Sequence, residues 1–294
     1  MPQANTGVTY TTTGERERGR VADYHRKPNP MMLNKTKHRV DIAGLKKKDR
    51  DICFANVTDY DGTIEIVSKY TIGFEVEKNS FHRGAVKEYE LFCGFERDRS
   101  CGYEAVTHIL PLLPAGTWRN KVFDMMYKAK RIIEDSHSPS DRRCGGHISV
   151  GVRGKNGDDV RRMIRANCGI LLALFRHRLR NSYCDINKRM MDGYSAKYQV
   201  ANAKYECLEF RMPSKIESVK QMMRRYELIH EIVRFSDENN GAGKHETLLK
   251  KIQPIVLSMY EGDAEKCEKI LDLARKFRTY IVDGDVHPDI ERYV

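Results

Sequence analysis

Residues 73–77, which read GFEVE, decide the fold of this chain. Successive side chains of a β-strand point to opposite faces of the sheet, so Glu75 and Glu77 would project from one face. Three later strand-like segments also carry an acid or a histidine: GYEAVT at residues 102–107, CGGHISVG at 144–151 and YECLEFRMP at 205–213. A sheet face lined by glutamates, a histidine and an arginine is a poor hydrophobic core. It is suited to hold divalent cations and a phosphate.

The order of predicted elements around this stretch favours an α+β fold. The predicted strands cover residues 39–43, 52–57, 63–69, 71–77, 86–94, 102–109, 144–152 and 204–212. The predicted helices cover residues 117–136, 158–183, 216–235, 247–260 and 264–280. Asp61 and Gly62 predict a hairpin turn, and Pro254 predicts an interruption of the fourth helix. Early hairpins followed by segregated helices predict a mostly antiparallel sheet backed by helices.

Composition divides the chain into three parts. Residues 1–33 are rich in Thr, Gly, Arg and Pro and have no apolar period, which predicts a disordered basic arm that could be removed without unfolding the rest. Residues 34–238 contain the sheet pattern and the acids, and we interpret them as one domain. Residues 239–243 break the preceding helix, so residues 239–294 are predicted to form a helical C-terminal extension.

The net charge of +11 predicts attraction to anions such as nucleotides, nucleic acid or anionic lipid. The alternative interpretation is a solvated basic surface, because lysine and arginine are spread through the chain. We find no zinc-finger or RNP pattern that would identify a nucleic-acid-binding module. Nucleic acid is therefore only a candidate partner, through the basic surface.

The eight cysteines indicate a reducing compartment. No two of them have the C-x-x-C spacing of a structural zinc site, and nothing in the first residues resembles an apolar secretory segment. The longest apolar stretch, residues 169–175, is too short to span a bilayer. We therefore expect a cytoplasmic protein with free thiols and no membrane partner.

The acids and the histidine are candidates for a metal centre. Mg²⁺ prefers oxygen ligands, and Mn²⁺ also accepts imidazole. Taken singly, each glutamate could be a solvent-facing strand residue, and the histidine could be structural. Their joint placement in four strand-like segments favours a shared site. The candidate ligands are Glu75, Glu77, Glu104, His147 and Glu209.

Arg211 follows Glu209 by two residues, so both side chains would point the same way. The planar guanidinium fork binds two phosphoryl oxygens, which suits an arginine beside a metal centre. The alternative is a salt bridge with the acids nearby. Gly145 and Gly146 precede His147, and they would allow a ligand or another backbone segment to approach closely, unless they form only a turn.

Five short motifs together resemble the amidoligases of the glutamine synthetase and glutamate–cysteine ligase superfamily. They stand in the order typical of that family between about residues 70 and 235. They are G-x-E-x-E at 73–77, D-x-S at 98–100 with a Y-E-x-V-T strand at 103–107, C-G-x-H-x-x-V-G at 144–151, K-Y-x-x-x-N at 197–202 and E-F-R at 209–211. Each motif alone is weak, and the shared order makes the match more specific.

The resemblance implies an ATP-dependent carboxylate–amine ligase whose catalytic domain is residues 34–238. Such enzymes hold ATP and two or three Mg²⁺ or Mn²⁺ ions on the concave face of a curved antiparallel sheet. The γ-phosphoryl group passes to a carboxylate, and an amine attacks the resulting acyl phosphate. The five candidate ligands would bind the metal ions, with Arg211 and Glu104 taking part in catalysis. The resemblance also places four residues near nucleotide or substrate: Ser100, Lys197, Tyr198 and Asn202.

Ser149 departs from the family pattern, since relatives often carry a second histidine there. Together with the basic charge and arm, it supports an alternative: a protein that keeps the fold, has altered catalysis and binds a polyanion or assembles with other proteins. The retained acids argue against this, because they would repel nucleic acid. The hypothesis of a metal-dependent hydrolase is weaker, since no residue stands out as a base that would activate water. The sequence leaves open which carboxylate and which amine are joined (an amino acid, a peptide or a protein). It also leaves open whether the chain forms a homo-oligomer.

Overall fold

The computed structural model describes residues 39–41, 56–60, 63–67, 69–80, 89, 91–98, 100–107, 109–134, 143–186, 198–204, 207–241 and 243–294. The predicted arm at residues 1–33 lies outside these ranges, as does Lys197. Within the described part of the chain, no helix is long and apolar enough to cross a bilayer.

A seven-stranded sheet organises the molecule. Its strands are β4 (Tyr70–Lys78), β5 (Phe92–Asp98), β6 (Gly102–Thr107), β7 (Leu110–Pro111), β8 (Ile148–Val152), β11 (Ala201–Ala203) and β12 (Leu208–Phe210). The strand order is β11-β12-β8-β4-β6-β5, with β7 paired to β4 beside β6, and all pairings between these strands are antiparallel. The predicted α+β class with an antiparallel sheet backed by helices is confirmed.

The other strands of the described residues form two smaller sheets. One has the order β1-β3-β2, formed by Arg39–Asp41, Thr63–Val67 and Asn56–Tyr60. Tyr60 pairs with Thr63, so two residues connect β2 to β3, as the predicted hairpin requires. The other pairs β9 (Arg180–Asn181) with β10 (Cys184–Asp185).

The apolar face of the large sheet forms the core. Ile72, Phe74 and Val76 alternate along β4 with the acids and are almost completely buried. Phe74 pairs with Ile148 of β8, and Ile148 pairs with Phe210 of β12, so these side chains lie on the same face. Apolar residues of the helices pack on this face. The sheet therefore has one apolar side, covered by helices, and one polar side.

Eight helices lie within the described residues. They are α1 (Thr117–Lys128), α2 (Lys130–Glu134), α3 (Gly157–Ile164), α4 (Gly169–Leu174), α5 (Val219–Glu238), α6 (His245–Met259), α7 (Ala264–Asp283) and α8 (Pro288–Glu291). The N-terminus of α3 has a capping box, in which Asn156 and Asp159 bind each other's backbone N–H groups. Ser218 caps α5 by accepting from the Gln221 N–H at 3.0 Å.

The prediction of one long helix over residues 158–183 is wrong. The chain forms α3, a 3₁₀ turn at Arg165–Asn167, α4, a second 3₁₀ turn at Arg176–Arg178, and then the β9–β10 hairpin. Gly169 follows the first break, and a Cβ there would lie 2.3 Å from the Ala274 carbonyl oxygen of α7. Each short segment buries apolar residues at helical spacing, which made the pattern resemble one helix.

Other predicted boundaries also differ from the structure. Helix α6 continues through Pro254, where an interruption was predicted. Pro254 is exposed, so water can bind the Lys250 carbonyl group that loses its helical donor. Strand β5 begins at Phe92 and runs to Asp98, several residues later than predicted. Strand β8 begins only at Ile148, and the short strand β11 was missed.

Candidate metal centre

Strand register aligns the predicted acids on the polar face of the large sheet. Glu77 of β4 pairs with Glu104 of β6, and paired residues point to the same face. Glu209 of β12 pairs with Ser149 of β8, which in turn pairs with Gly73 of β4. Because positions 73, 75 and 77 share one face of β4, the four glutamates at 75, 77, 104 and 209 do so as well.

These side chains form two overlapping groups of potential metal ligands. One group comprises Glu75, His147 and Glu209, and the other comprises Glu75, Glu77 and Glu104. The ligand atoms of each group lie within 4.8 Å of one another, and all five residues are buried. The structure thus brings together every residue that the sequence predicted as a metal ligand. Their role as ligands stays a prediction.

His147 belongs to the first group and also approaches Glu77 of the second. Its Nδ1 is 2.6 Å from Oε2 of Glu75 and 3.9 Å from Oε1 of Glu209, and its Nε2 is 3.5 Å from Oε1 of Glu77. Burial lowers the pKa of the imidazole, but the carboxylates of Glu77 and Glu75 outweigh this effect and raise the pKa above its ordinary value. The carboxylates of Glu77 and Glu75 therefore outweigh burial and the nearby Arg211 in the surroundings of this ring.

Glu209 is the most buried of the four glutamates, and three side chains bind it. Lys204 Nζ lies 3.1 Å from Oε2, Arg211 Nη1 lies 3.2 Å from Oε1, and Asn202 Nδ2 donates to Oε2 at 3.1 Å. Burial raises the pKa of the Glu209 carboxyl, but Lys204 and Arg211 outweigh it, so the pKa lies below its ordinary value. Glu209 is held ionised in one orientation.

The turn that precedes β8 places His147 beside β4. The Gly145 N–H donates to Oε2 of Glu77 at 2.5 Å, and the Gly146 N–H donates to the Pro213 carbonyl group at 3.1 Å. A Cβ on Gly146 would lie 2.6 Å from the Ser214 carbonyl oxygen. Gly146 therefore allows the close backbone approach that the sequence suggested, with the turn packed against residues 213–214.

The other predicted site residues occupy varied positions. Arg211 binds Glu209 and also donates from Nε to the Tyr183 carbonyl group at 3.3 Å. The Tyr198 ring is half exposed beside the Tyr183 ring. Ser100 donates from its backbone N–H to Asp98 Oδ1 at 2.5 Å, so its described contacts belong to the turn between β5 and β6.

Lys204 was missed from the sequence. It follows Asn202 by two residues, so alternation would have placed it beside Glu209 had β11 been recognised. Strand β11 spans only three residues, Ala201–Ala203, which is too short for a recognisable period. The salt bridge to Glu209 therefore became visible only in the folded chain.

A contact between two thiols next to the centre was also missed. Cys101 precedes β6, and Cys144 precedes Gly145. The nearby Cys144 thiol, with burial, raises the pKa of Cys101 far above its ordinary value. Both are free and buried, as are Cys168, Cys184, Cys207 and Cys267. Forty-two residues separate the two cysteines in sequence, and only strand pairing brings them together.

Comparison with protein-family models gives no match for this chain, and comparison with curated proteins gives none either. The interpretation of the site therefore rests on its geometry and on the sequence motifs.

Proposed function

We propose that this chain is an ATP-dependent carboxylate–amine ligase with a curved, glutamine synthetase-like sheet. The observation that carries the proposal is the convergence of four buried glutamates and one histidine from four separate chain segments. Burying several carboxylates together is costly unless cations compensate them. A sheet face that accumulates such groups is better explained by bound cations than by packing.

The donor set fits Mg²⁺ or Mn²⁺. Two ligand atoms bound to one Mg²⁺ at about 2.1 Å lie at most about 4.2 Å apart. The separations of up to 4.8 Å within each group need only small side-chain shifts to meet this limit. Carboxylate oxygens with one imidazole suit Mg²⁺ and, better, Mn²⁺. Glu75 belongs to both groups and would bridge two ions. When bound, the ions would neutralise the phosphates of ATP.

Arg211 supplies the contact to the transferring phosphoryl group in this proposal. Glu209, Glu75 and Glu77 outweigh the effect of burial and hold the pKa of the Arg211 guanidinium above its ordinary value, so it stays charged. Its Nε and Nη1 groups are oriented by Tyr183 and Glu209. An oriented donor of this kind stabilises negative charge in the transition state without reorganising. Lys204 and Asn202 position Glu209.

The proposed reaction has two steps. A carboxylate oxygen of the acid substrate attacks the γ-phosphorus of ATP, and the bond to the bridging oxygen breaks to release ADP. The amine nitrogen then attacks the carbonyl carbon of the acyl phosphate, loses a proton, and expels inorganic phosphate. Glu104 and Arg211 act at the first step: Glu104 would help to hold the cations that neutralise the phosphates, and Arg211 neutralises developing charge.

A second candidate function is binding of a polyanion, favoured by the net charge of +11. Ser149 also favours this candidate, because amidoligases often carry a second histidine at the position of Ser149. In the sheet, Ser149 pairs with Glu209. A polyanion would bind the basic surface outside the metal centre, and its affinity would fall steeply with salt.

The first test is ADP release from ATP and Mg²⁺ in the presence of mixed amino acids, amines and peptides. We expect substrate-dependent ADP release by the wild type and a loss of at least about a hundredfold in Glu75→Gln, which removes the ligand shared by both groups. Arg211→Lys should lower turnover about a hundredfold with little change in nucleotide affinity. Glu265→Gln, at an exposed position of α7, is the control.

Three outcomes would contradict the proposal. ADP release that is independent of both substrates indicates a hydrolase. Normal turnover in Glu75→Gln places the reaction elsewhere. Binding of polyphosphate or nucleic acid that is equal in the wild type and Glu75→Gln, with no ADP release under any condition, supports the polyanion-binding candidate.

A further inference from the structure

Two half-exposed tyrosines lie together beside the metal centre. Tyr183 is 50% exposed and Tyr198 is 49% exposed, and both are among the few large apolar or aromatic side chains exposed in the described part of the chain. Their ring centroids are 6.0 Å apart, with an angle of 73° between the ring planes. In such an edge-to-face pair, the ring whose edge meets the other keeps its own faces available for stacking.

The backbone holds both tyrosines in place. Tyr183 lies in the two-residue turn between β9 and β10, and its N–H donates to Asn181 Oδ1 at 2.9 Å. The Asp185 N–H donates to the Tyr198 carbonyl group at 2.8 Å, and the Val200 N–H donates to that of Asp185 at 3.1 Å. The pair is therefore built on two hydrogen-bonded segments, so its rings can be positioned before a ligand arrives.

Arg211 connects the tyrosine pair to the metal centre. Its N–H donates to the Val200 carbonyl group at 2.9 Å, its Nε to the Tyr183 carbonyl group at 3.3 Å, and its Nη1 to Glu209 at 3.2 Å. One guanidinium group thus separates the Tyr183 backbone from a candidate metal ligand. In a nucleoside triphosphate, the ribose and the α-phosphate separate the base from the terminal phosphates. Arg211 occupies the corresponding place between Tyr183 and the candidate metal ligand Glu209.

We infer that Tyr183 and Tyr198 form a stacking surface for the base of the nucleotide whose phosphates are held at the metal centre. The inference rests on the proposed function, because it needs a nucleotide there. A base has two π-faces on which an aromatic ring can stack. Tyr183 offers such a ring, and its carbonyl group is bound by Arg211, which also binds Glu209. Stacking of a base on an aromatic side chain is sequence-tolerant, so it adds affinity without selecting one base strongly.

The test compares a ligand that has a base with one that lacks it. Binding of ATP and of inorganic tripolyphosphate, each with Mn²⁺, is measured by calorimetry for the wild type, Tyr183→Leu and Tyr183→Phe. We expect Tyr183→Leu to weaken ATP binding about ten- to hundredfold and to leave tripolyphosphate binding unchanged. Tyr183→Phe keeps the ring and should bind ATP like the wild type. The control is Tyr127→Leu, which removes another exposed tyrosine, on α1.

Each other outcome overturns the inference in a recognisable way. If the wild type binds ATP and Tyr183→Leu binds it equally well, the stacking surface is wrong and the ligase proposal stands. If Tyr183→Leu loses affinity for both ligands to the same extent, the ring supports the site as a whole and does not stack on the base. If the wild type binds neither ligand, the proposed function fails and the inference fails with it. Circular dichroism of each variant verifies that the fold is intact.

Discussion

At the residue scale, His245 is a buried histidine that makes no side-chain hydrogen bond to any described residue. It lies in the first turn of α6, and neither ring nitrogen is hydrogen-bonded within the described residues. Burial, with the nearby Arg278 and Arg275, lowers the pKa of His245 to about 4, although Glu246 acts in the opposite direction. The folded protein therefore keeps this ring neutral where the unfolded chain would protonate it.

This difference predicts that His245 makes the protein less stable in mild acid. Below the ordinary histidine pKa of about 6.5, the unfolded chain binds a proton that the folded protein does not. The stability contributed by the neutral ring is complete above about pH 6.5 and is lost as the pH falls towards about 4. We expect a loss of about 1–2 kcal/mol between pH 6.5 and pH 5 that is absent in His245→Leu.

Urea unfolding of both proteins across this pH range measures the effect. His287→Asn is the matched control, because His287 is exposed and an asparagine can still cap α8. Equal pH dependence in the wild type and His245→Leu would show that His245 is not the responsible group.

At the scale of elements, the contact between α4 and α7 depends on one glycine. Gly169 begins α4, and its Cα approaches the α7 backbone so closely that a Cβ would lie 2.3 Å from the Ala274 carbonyl oxygen and 3.0 Å from the Arg278 nitrogen. Backbone atoms cannot move aside as the end of a flexible side chain can. The packing of these two helices therefore requires a residue without a side chain.

Gly169→Ala should separate the two helices and destabilise the protein by about 2–4 kcal/mol, since over-packing against backbone forces a shift of a whole element. Gly154→Ala is the control. Gly154 has a φ of +78° but open space around its Cα, so alanine there should cost only about 1 kcal/mol of backbone strain. The measurement is the urea midpoint at constant slope, and similar losses in both variants would refute the packing argument.

At the scale of the whole molecule, the C-terminal helices and the sheet domain share one hydrophobic core. Leu248 and Ile252 of α6 and Ile270 and Phe277 of α7 are buried in the same cluster as Phe74 of β4. The sequence suggested a boundary at residues 238 and 239. The described residues instead place apolar side chains from both sides of it in mutual contact.

We therefore predict that a chain ending at residue 238 cannot fold as the full chain does. Removing α6 and α7 would expose the apolar surface of α4 and α5 to water. The truncated protein should bind the dye ANS and lack a cooperative thermal transition, whereas deletion of residues 1–33 should leave the transition intact. A sharp transition in the chain of residues 1–238 would establish an independent domain and an appended extension.

The sequence alone determined which side chains share a face of β4. Alternation is a property of extended backbone, so the acids of GFEVE and their apolar neighbours separate to opposite faces whatever the partner strands are. The same reasoning found the segments that contain Glu104, His147 and Glu209. It also found the hairpin between β2 and β3, because a two-residue Asp-Gly turn is specified locally.

Only the tertiary structure decided which strands are neighbours and where helices break. Glu77 faces Glu104, and Glu209 meets Lys204, because of strand order and register, which depend on packing of the whole sheet. Gly169, at the start of α4, lies so close to α7, about a hundred residues later, that a Cβ does not fit there. Contacts between residues so distant in sequence leave no local period, so the long predicted helix was wrong, although the face of the sheet that gathers the acids was found.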